Sequence, residues 1–142
     1  MNRRRKILVV SIAALALALA STAAAGNGSG NGGGKDPSSL SLIMVSDANG
    51  NGQPNWGDTV TFKVSTTATS QPSVFADCYQ NGAWVYRHYG FFYGDPSPSQ
   101  NFVLYSYVWA GGAADCTATL YYMDPQKGTE VDLATLPFHV DA

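Results

Sequence analysis

Two cysteines, Cys78 and Cys116, constrain the fold of this chain more than any other pair of residues. Each lies in a segment whose apolar residues recur at every second position, the period of a β-strand with one buried face. Val74, Ala76 and Cys78 alternate with Phe75, Asp77 and Tyr79, while Cys116, Ala118 and Leu120 alternate with Asp115, Thr117, Thr119 and Tyr121. An antiparallel pairing that sets Cys78 against Cys116 also sets Ala76 against Ala118 and Val74 against Leu120. Every inward pair is then apolar. A disulfide closing this 38-residue separation contributes about 3–4 kcal/mol when its effect is counted as lost chain entropy in the unfolded state.

A structural disulfide requires an oxidising compartment, and the N-terminus supplies the route to one. Arg3, Arg4, Arg5 and Lys6 precede a run from Ile7 to Ala20 that is apolar apart from Ser11, and Ala23-Ala24-Ala25 offers a small-residue cleavage site. Residues 1–25 are expected to be a cleaved signal peptide, because the run is shorter than the roughly 20 apolar residues of a spanning helix. No cysteine follows the run to accept a lipid and no hydrophobic tail closes the chain. The expected product is secreted, extracellular and without a membrane anchor. Residues 26–35 (Gly-Asn-Gly-Ser-Gly-Asn-Gly-Gly-Gly-Lys) read as a flexible linker. Residues 36–142 have the length of one domain with one core.

Four of the eight basic residues lie in the leader, so Lys35, Lys63, Arg87 and Lys127 face ten acids and leave a net charge of −6. So acidic a domain, with scattered cations, is a poor partner for nucleic acid or anionic membranes.

The remaining pattern is all-β. Strands are expected at 39–46, 59–67, 73–80, 83–89, 100–109, 114–122 and 129–140. Asn81-Gly82 is a two-residue hairpin signal, since both central positions of a type I′ turn need positive φ. Pro137 requires an edge or a bulge in the last strand. Seven short strands punctuated by turns predict a two-sheet sandwich.

Between the first two strands runs Asp47-Ala-Asn-Gly-Asn-Gly-Gln-Pro-Asn-Trp-Gly-Asp58. Side-chain oxygens fall at positions one, three, five, nine and twelve of this segment (Asp47, Asn49, Asn51, Asn55 and Asp58), with Gly52 at position six and the Gln53 carbonyl at position seven. That is the spacing of an EF-hand calcium loop, with Asp in place of Glu at position twelve and Pro54 in place of an apolar residue at position eight. Asn and Gly also make turns without any ion. With two carboxylates the expected calcium affinity is weak, about 10⁻⁴–10⁻³ M, and its role is stiffening.

The run Asp47-x-Asn49-Gly50-Asn51-Gly52 followed by Gly57-Asp58-x-Val60-Thr61-Phe62 resembles the opening of bacterial immunoglobulin-like domains of secreted and surface proteins. The resemblance covers residues 39–67 and extends to the rest only as architecture. It implies an immunoglobulin-like β-sandwich with the loop joining strands A and B, and with the cysteines on strands C and F. Antibody domains instead link B to F and place a Tyr two residues before the second cysteine, where this chain has Ala114.

Catalytic constellations are thin. His88 and His139 are expected to point to solvent from strands, two histidines make poor zinc chemistry, and the disulfide consumes both thiols. The chain does not read as an enzyme. Aromatics cluster instead around the hairpin: Trp84, Tyr86, Phe91, Phe92 and Tyr93 are the candidate ligand-binding residues, although alternating rings also build strands and cores. The expected function is a non-catalytic, monomeric binding or surface-associated module with an extracellular protein or glycan as partner. A small carbohydrate-binding module is the alternative, and a hydrolase inhibitor using the loop at 90–99 a more distant one.

Overall fold

A computed structural model describes residues 38–142. The expected signal peptide and linker lie outside the described residues. Seven strands form: β1 (Ser39–Ser46), β2 (Thr59–Ser65), β3 (Ser73–Gln80), β4 (Ala83–Phe91), β5 (Phe102–Val103), β6 (Ala114–Asp124) and β7 (Thr129–Val140), with a 3₁₀ turn at Pro98–Gln100 before β5. One antiparallel sheet has the order β1-β2-β5 and the other β4-β3-β6-β7. In immunoglobulin lettering these are A, B and E against C′, C, F and G, so the fourth strand C′ sits beside C where a constant-type domain carries D on the opposite sheet. The fold is an immunoglobulin-like β-sandwich closed by one disulfide.

The register around the cysteines is the one that alternation dictates. Cys78 pairs with Cys116, Ala76 with Ala118 and Val74 with Leu120. All six side chains are buried. The two cysteine α-carbons lie 4.0 Å apart, so the bridge joins neighbouring strands of one sheet and does not cross the sandwich. Val60 and Phe62 of β2, Phe102 of β5 and Leu104 close the core from the opposite side. Asn81 and Gly82 take φ of 51° and 80°, the positive values the hairpin requires. Pro137 lies on β7, an edge strand, where a missing N–H disturbs no central ladder.

The expected strand at 100–109 is much shorter in the structure. Only Phe102–Val103 pairs, with Thr59 and Val60. Beyond it the chain leaves the sheet to bury Trp109, which is 1% exposed. β2 ends at Ser65, two residues early, while β4 and β6 each run two residues further than their periodicity suggested. Gly90 explains how β4 can continue: a Cβ there would stand 2.8 Å from the Ser99 backbone oxygen and 2.9 Å from the Phe102 ring. Only a residue without a side chain lets the 3₁₀ turn and Phe102 close onto this strand.

One pole of the sandwich gathers the 47–58 loop, the 81–82 hairpin, the connection at 104–113 and the C-terminus. The Trp56 N–H donates to the Asp141 carbonyl at 2.9 Å, that of Gly57 to Leu104 at 2.9 Å, and the Gln80 amide to the Gly111 carbonyl at 2.8 Å.

Candidate functional site

The 47–58 loop is wound by its own side chains. Asp47 accepts the Gly50 and Gly52 N–H groups, both at 2.7 Å, one on each carboxylate oxygen. Asn49 accepts from the Asn51 N–H at 3.0 Å and Asn51 from the Gln53 N–H at 2.7 Å. The Asn51 amide donates to the Asn55 side-chain oxygen at 3.0 Å, so positions five and nine meet. Gly50 and Gly52 have φ of 69° and 74°, a left-handed conformation that permits the tight winding. An oxygen that accepts one N–H keeps a lone pair for a cation.

Asp58 has a second task. It is buried, with its two oxygens accepting the Ala48 and Asn55 N–H groups at 3.0 Å each, and so staples the two ends of the loop together. The base is tied further by a bridge between Asn55 and Asp141 and by the Leu104 N–H to the Asp58 carbonyl at 2.8 Å. Residues 49–53 stay exposed. Among the described residues no three His, Cys, Asp or Glu side chains form a metal-ligand group. A cation in this loop would rely on the Asn oxygens and backbone carbonyls as well as on Asp47 and Asp58.

The aromatic candidates divide between two faces. Tyr86 is buried beside Trp109, and Phe92 packs against the core near Phe102. Tyr86 points inward because the β4 bulge opposite Cys78 and Tyr79 puts it there, Phe92 follows directly after β4 with its N–H on the Pro72 carbonyl, and neither belongs to an exposed site. Trp84, Phe91 and Tyr93 remain outside. They are joined by Tyr79 and Tyr89, and the five rings keep between 43 and 52% of their surface exposed.

Tyr79, Trp84, Tyr89 and Phe91 share the outer face of the four-stranded sheet, and Tyr93, past the end of β4, stands beside Phe91 with ring centres 6.0 Å apart. The pairs Tyr79–Trp84, Asp77–Arg87, Phe75–Tyr89 and Ser73–Phe91 lie across β3 and β4, with Asp115, Thr117, Thr119 and Tyr121 of β6 alongside. At the centre is an ion pair. The Asp77 carboxylate accepts from Arg87 Nε at 2.6 Å and from Arg87 Nη2, and the Trp84 indole N–H donates to it at 3.2 Å. Arg87 also donates to the Tyr89 hydroxyl at 3.3 Å, and its guanidinium lies 5.2 Å and 5.8 Å from the Phe75 and Tyr89 ring centres. Burial alone would raise the Asp77 pKa, but the hydrogen bonds from Arg87 and Trp84 and the Arg87 charge hold it below the ordinary value. The Asp77 bond drives the Arg87 pKa up. The pair stays ionised and locked.

Sequence reasoning placed Phe75, Asp77, Tyr79 and Tyr121 on this outward face but left Tyr89 and Arg87 out of the candidate set. The signal for both lay in period two along β4, counted from Phe91 back to Arg87. A smaller exposed ring group, Trp56, Tyr105 and Tyr107, stands at the loop pole with centroid spacings of 5.7 and 6.0 Å. The 90–99 segment is tied back at both ends, through the Phe92 N–H to the Pro72 carbonyl and the Gln100 amide to the Phe91 carbonyl, each at 2.9 Å.

No family model, curated protein or solved structure matches the chain. What the molecule can do is therefore read from its own surfaces.

His139 lies on the surface, as expected, and bonds Asp115 at 2.8 Å. His88 does not. It faces inward beside Tyr86 and Phe102, and the buried His88 Nε2 and Tyr86 hydroxyl have no protein partner. Burial lowers the His88 pKa from its ordinary 6.5, opposed in part by a backbone hydrogen bond to Ser99. The unfolded chain thus binds this proton more readily, so stability rises with pH through this window. The expected result is a loss of unfolding free energy between pH 7 and 5 that is smaller in His88→Phe, measured by chemical denaturation. Equal pH slopes in the two proteins would contradict the placement of His88.

Proposed function

We propose that the chain is an extracellular, non-catalytic binding module that engages its ligand through the aromatic outer face of the four-stranded sheet. One observation carries this reading: four half-exposed rings share a single sheet face around a locked ion pair, with a fifth, Tyr93, beside Phe91 at its end. Clustered exposed rings on a folded domain mark an interaction surface, and Trp, Tyr and Arg are the residues that dominate binding energy. Rings carried on strands lose little freedom on binding. The test is capture from the source's extracellular material by the immobilised full chain, compared with Trp84→Ala and Tyr89→Ala. Captured material should fall away with both substitutions. Equal capture by all three proteins, or none by any, would count against this face as the binding surface.

The 47–58 loop fits a supporting role as a calcium-stiffened connector. A cation among Asp47, Asn49, Asn51, Asn55 and Asp58 would hold the exposed half of the loop, whose base is already fixed to the C-terminus and Leu104. At an affinity of about 10⁻⁴–10⁻³ M, about 10 mM calcium stabilises the fold by about 1.5–3 kcal/mol. The melting temperature should rise accordingly, and Asp47→Ala should remove the rise relative to its own calcium-free baseline. A melting temperature indifferent to calcium in the unsubstituted protein would reduce the loop to a turn-rich linker.

A further inference from the structure

We infer that the ligand of the aromatic face is a neutral polysaccharide, whose sugar rings stack along a line from Trp84 past Arg87 to Tyr89 and Phe91. This rests on the reading of that face as the binding surface and names its occupant. Three features of the face select the ligand.

The first is charge. On the outward columns of β3 and β4 the only charged side chains are Asp77 and Arg87, and they neutralise each other. The neighbouring columns add Asp115, which bonds His139, and the Glu130 and Asp132 carboxylates at one end of β7, and the domain as a whole is acidic. An anionic chain would meet repulsion and a cationic one no free carboxylate at the centre. A neutral ligand meets neither obstacle.

The second is the kind of surface. The two columns carry no Leu, Ile or Val; they alternate ring planes with the Tyr79 and Tyr89 hydroxyls and the Arg87 guanidinium, while the Trp84 indole N–H is taken up by Asp77. A pyranose ring has a C–H face and a rim of hydroxyls, and so needs a flat ring below and hydrogen-bonding groups at its edge. Trp and Tyr supply both parts, and the exposed Arg87 adds a planar cation whose unused N–H positions can donate to hydroxyls.

The third is shape. Trp84 to Phe91 along one strand spans roughly 20 Å, room for several sugar units of an extended chain. The platform is also fixed in advance. Phe75 is wedged between Tyr89 and Tyr121 at 5.9 and 5.4 Å between ring centres, and Trp84 is anchored on Asp77. An extended, repetitive ligand gains from a rigid row of rings, whereas a protein partner centres on a desolvated core inside a polar rim.

The experiment is native affinity electrophoresis of the full chain through gels holding soluble β-glucan, galactomannan, arabinoxylan, anionic polygalacturonate or no polymer. At least one neutral polymer should retard the protein, and Trp84→Ala and Phe91→Ala should each weaken the retardation about tenfold, the effect of losing roughly 1.4 kcal/mol. Phe91 makes no hydrogen bond through its side chain, so its removal tests stacking without disturbing the Asp77 anchor. Retardation in polygalacturonate alone, or in no gel, overturns the inference. If no gel retards the protein while Trp84-dependent capture from extracellular material persists, the face is a binding surface for something other than a neutral glycan. Self-association in sedimentation velocity that Trp84→Ala abolishes would likewise overturn it, in favour of a second copy of this chain. Equal retardation of all variants would place the glycan elsewhere on the molecule.

Discussion

Trp109→Ala should cost the domain about 3–5 kcal/mol, the range for removing a large aromatic from a packed core. Trp109 is the largest fully buried side chain in the described residues. Its ring meets Tyr86 edge-on at 6.0 Å, and its indole N–H donates to the Gly112 carbonyl at 3.1 Å. Its own carbonyl accepts the Trp56 indole N–H at 3.2 Å. One side chain thus plugs the open end of the sandwich where β5 is too short to cover it, and anchors the loop pole to the core. Truncation leaves a cavity and an unpaired carbonyl together. Urea denaturation of the variant measures the loss, and a change below about 1 kcal/mol would mean that the 104–113 connection is not a structural plug.

Removal of the disulfide should cost nearly as much. Cys78→Ala with Cys116→Ala releases a constraint on 38 residues of unfolded chain, worth about 3–4 kcal/mol by chain entropy. Both sulfurs lie in the core, so lost packing adds to the entropic term. The strand pairing itself should survive, because Ala76–Ala118 and Val74–Leu120 continue the apolar seam on β3 and β6. A destabilised protein with an unchanged far-ultraviolet circular dichroism spectrum is the expected outcome. A double variant as stable as the parent would contradict the entropic account.

The contrast between these two sites shows what the sequence could reveal. The disulfide register was legible because strict alternation on both flanks leaves one pairing in which every inward partner is apolar. The hairpin at Asn81-Gly82 was legible because few residue pairs tolerate two positive φ values. Trp109 was not legible as a plug. The run from Gln100 to Trp109 carries Phe102, Leu104 and Trp109 as buried residues, and the first two keep strand period while the last breaks it. Only the packing of the opposite sheet decides that the chain leaves its ladder after Val103. His88 was misread for a related reason: a polar ring suggests solvent, yet its position opposite Ala76 turns it inward, as the position opposite Cys78 does Tyr86 of the aromatic cluster.

The candidate face was half legible. The outward alternation of β3 and β6 named Phe75, Asp77, Tyr79 and Tyr121 in advance. The bulge opposite Cys78 and Tyr79 shifts the phase of β4 between Trp84 and Tyr86, and a bulge is set by local twist and pairing more than by residue type. Without that shift Trp84 and Tyr86 read as one face, so a grouping of rings around the hairpin does not separate the exposed Trp84 from the buried Tyr86.

The most direct measurement of the binding face is nuclear magnetic resonance of the ¹⁵N-labelled protein titrated with oligosaccharides cut from whichever neutral polymer retards it. The Trp84 indole N–H, anchored on Asp77, reports from the middle of the aromatic face, while those of Trp56 and Trp109 report from the loop pole and the core. The account predicts a shifting Trp84 indole signal together with backbone shifts along β3 and β4, and stationary Trp56 and Trp109 signals. Shifts confined to Trp56 and the 47–58 loop, with Trp84 unmoved, would contradict it.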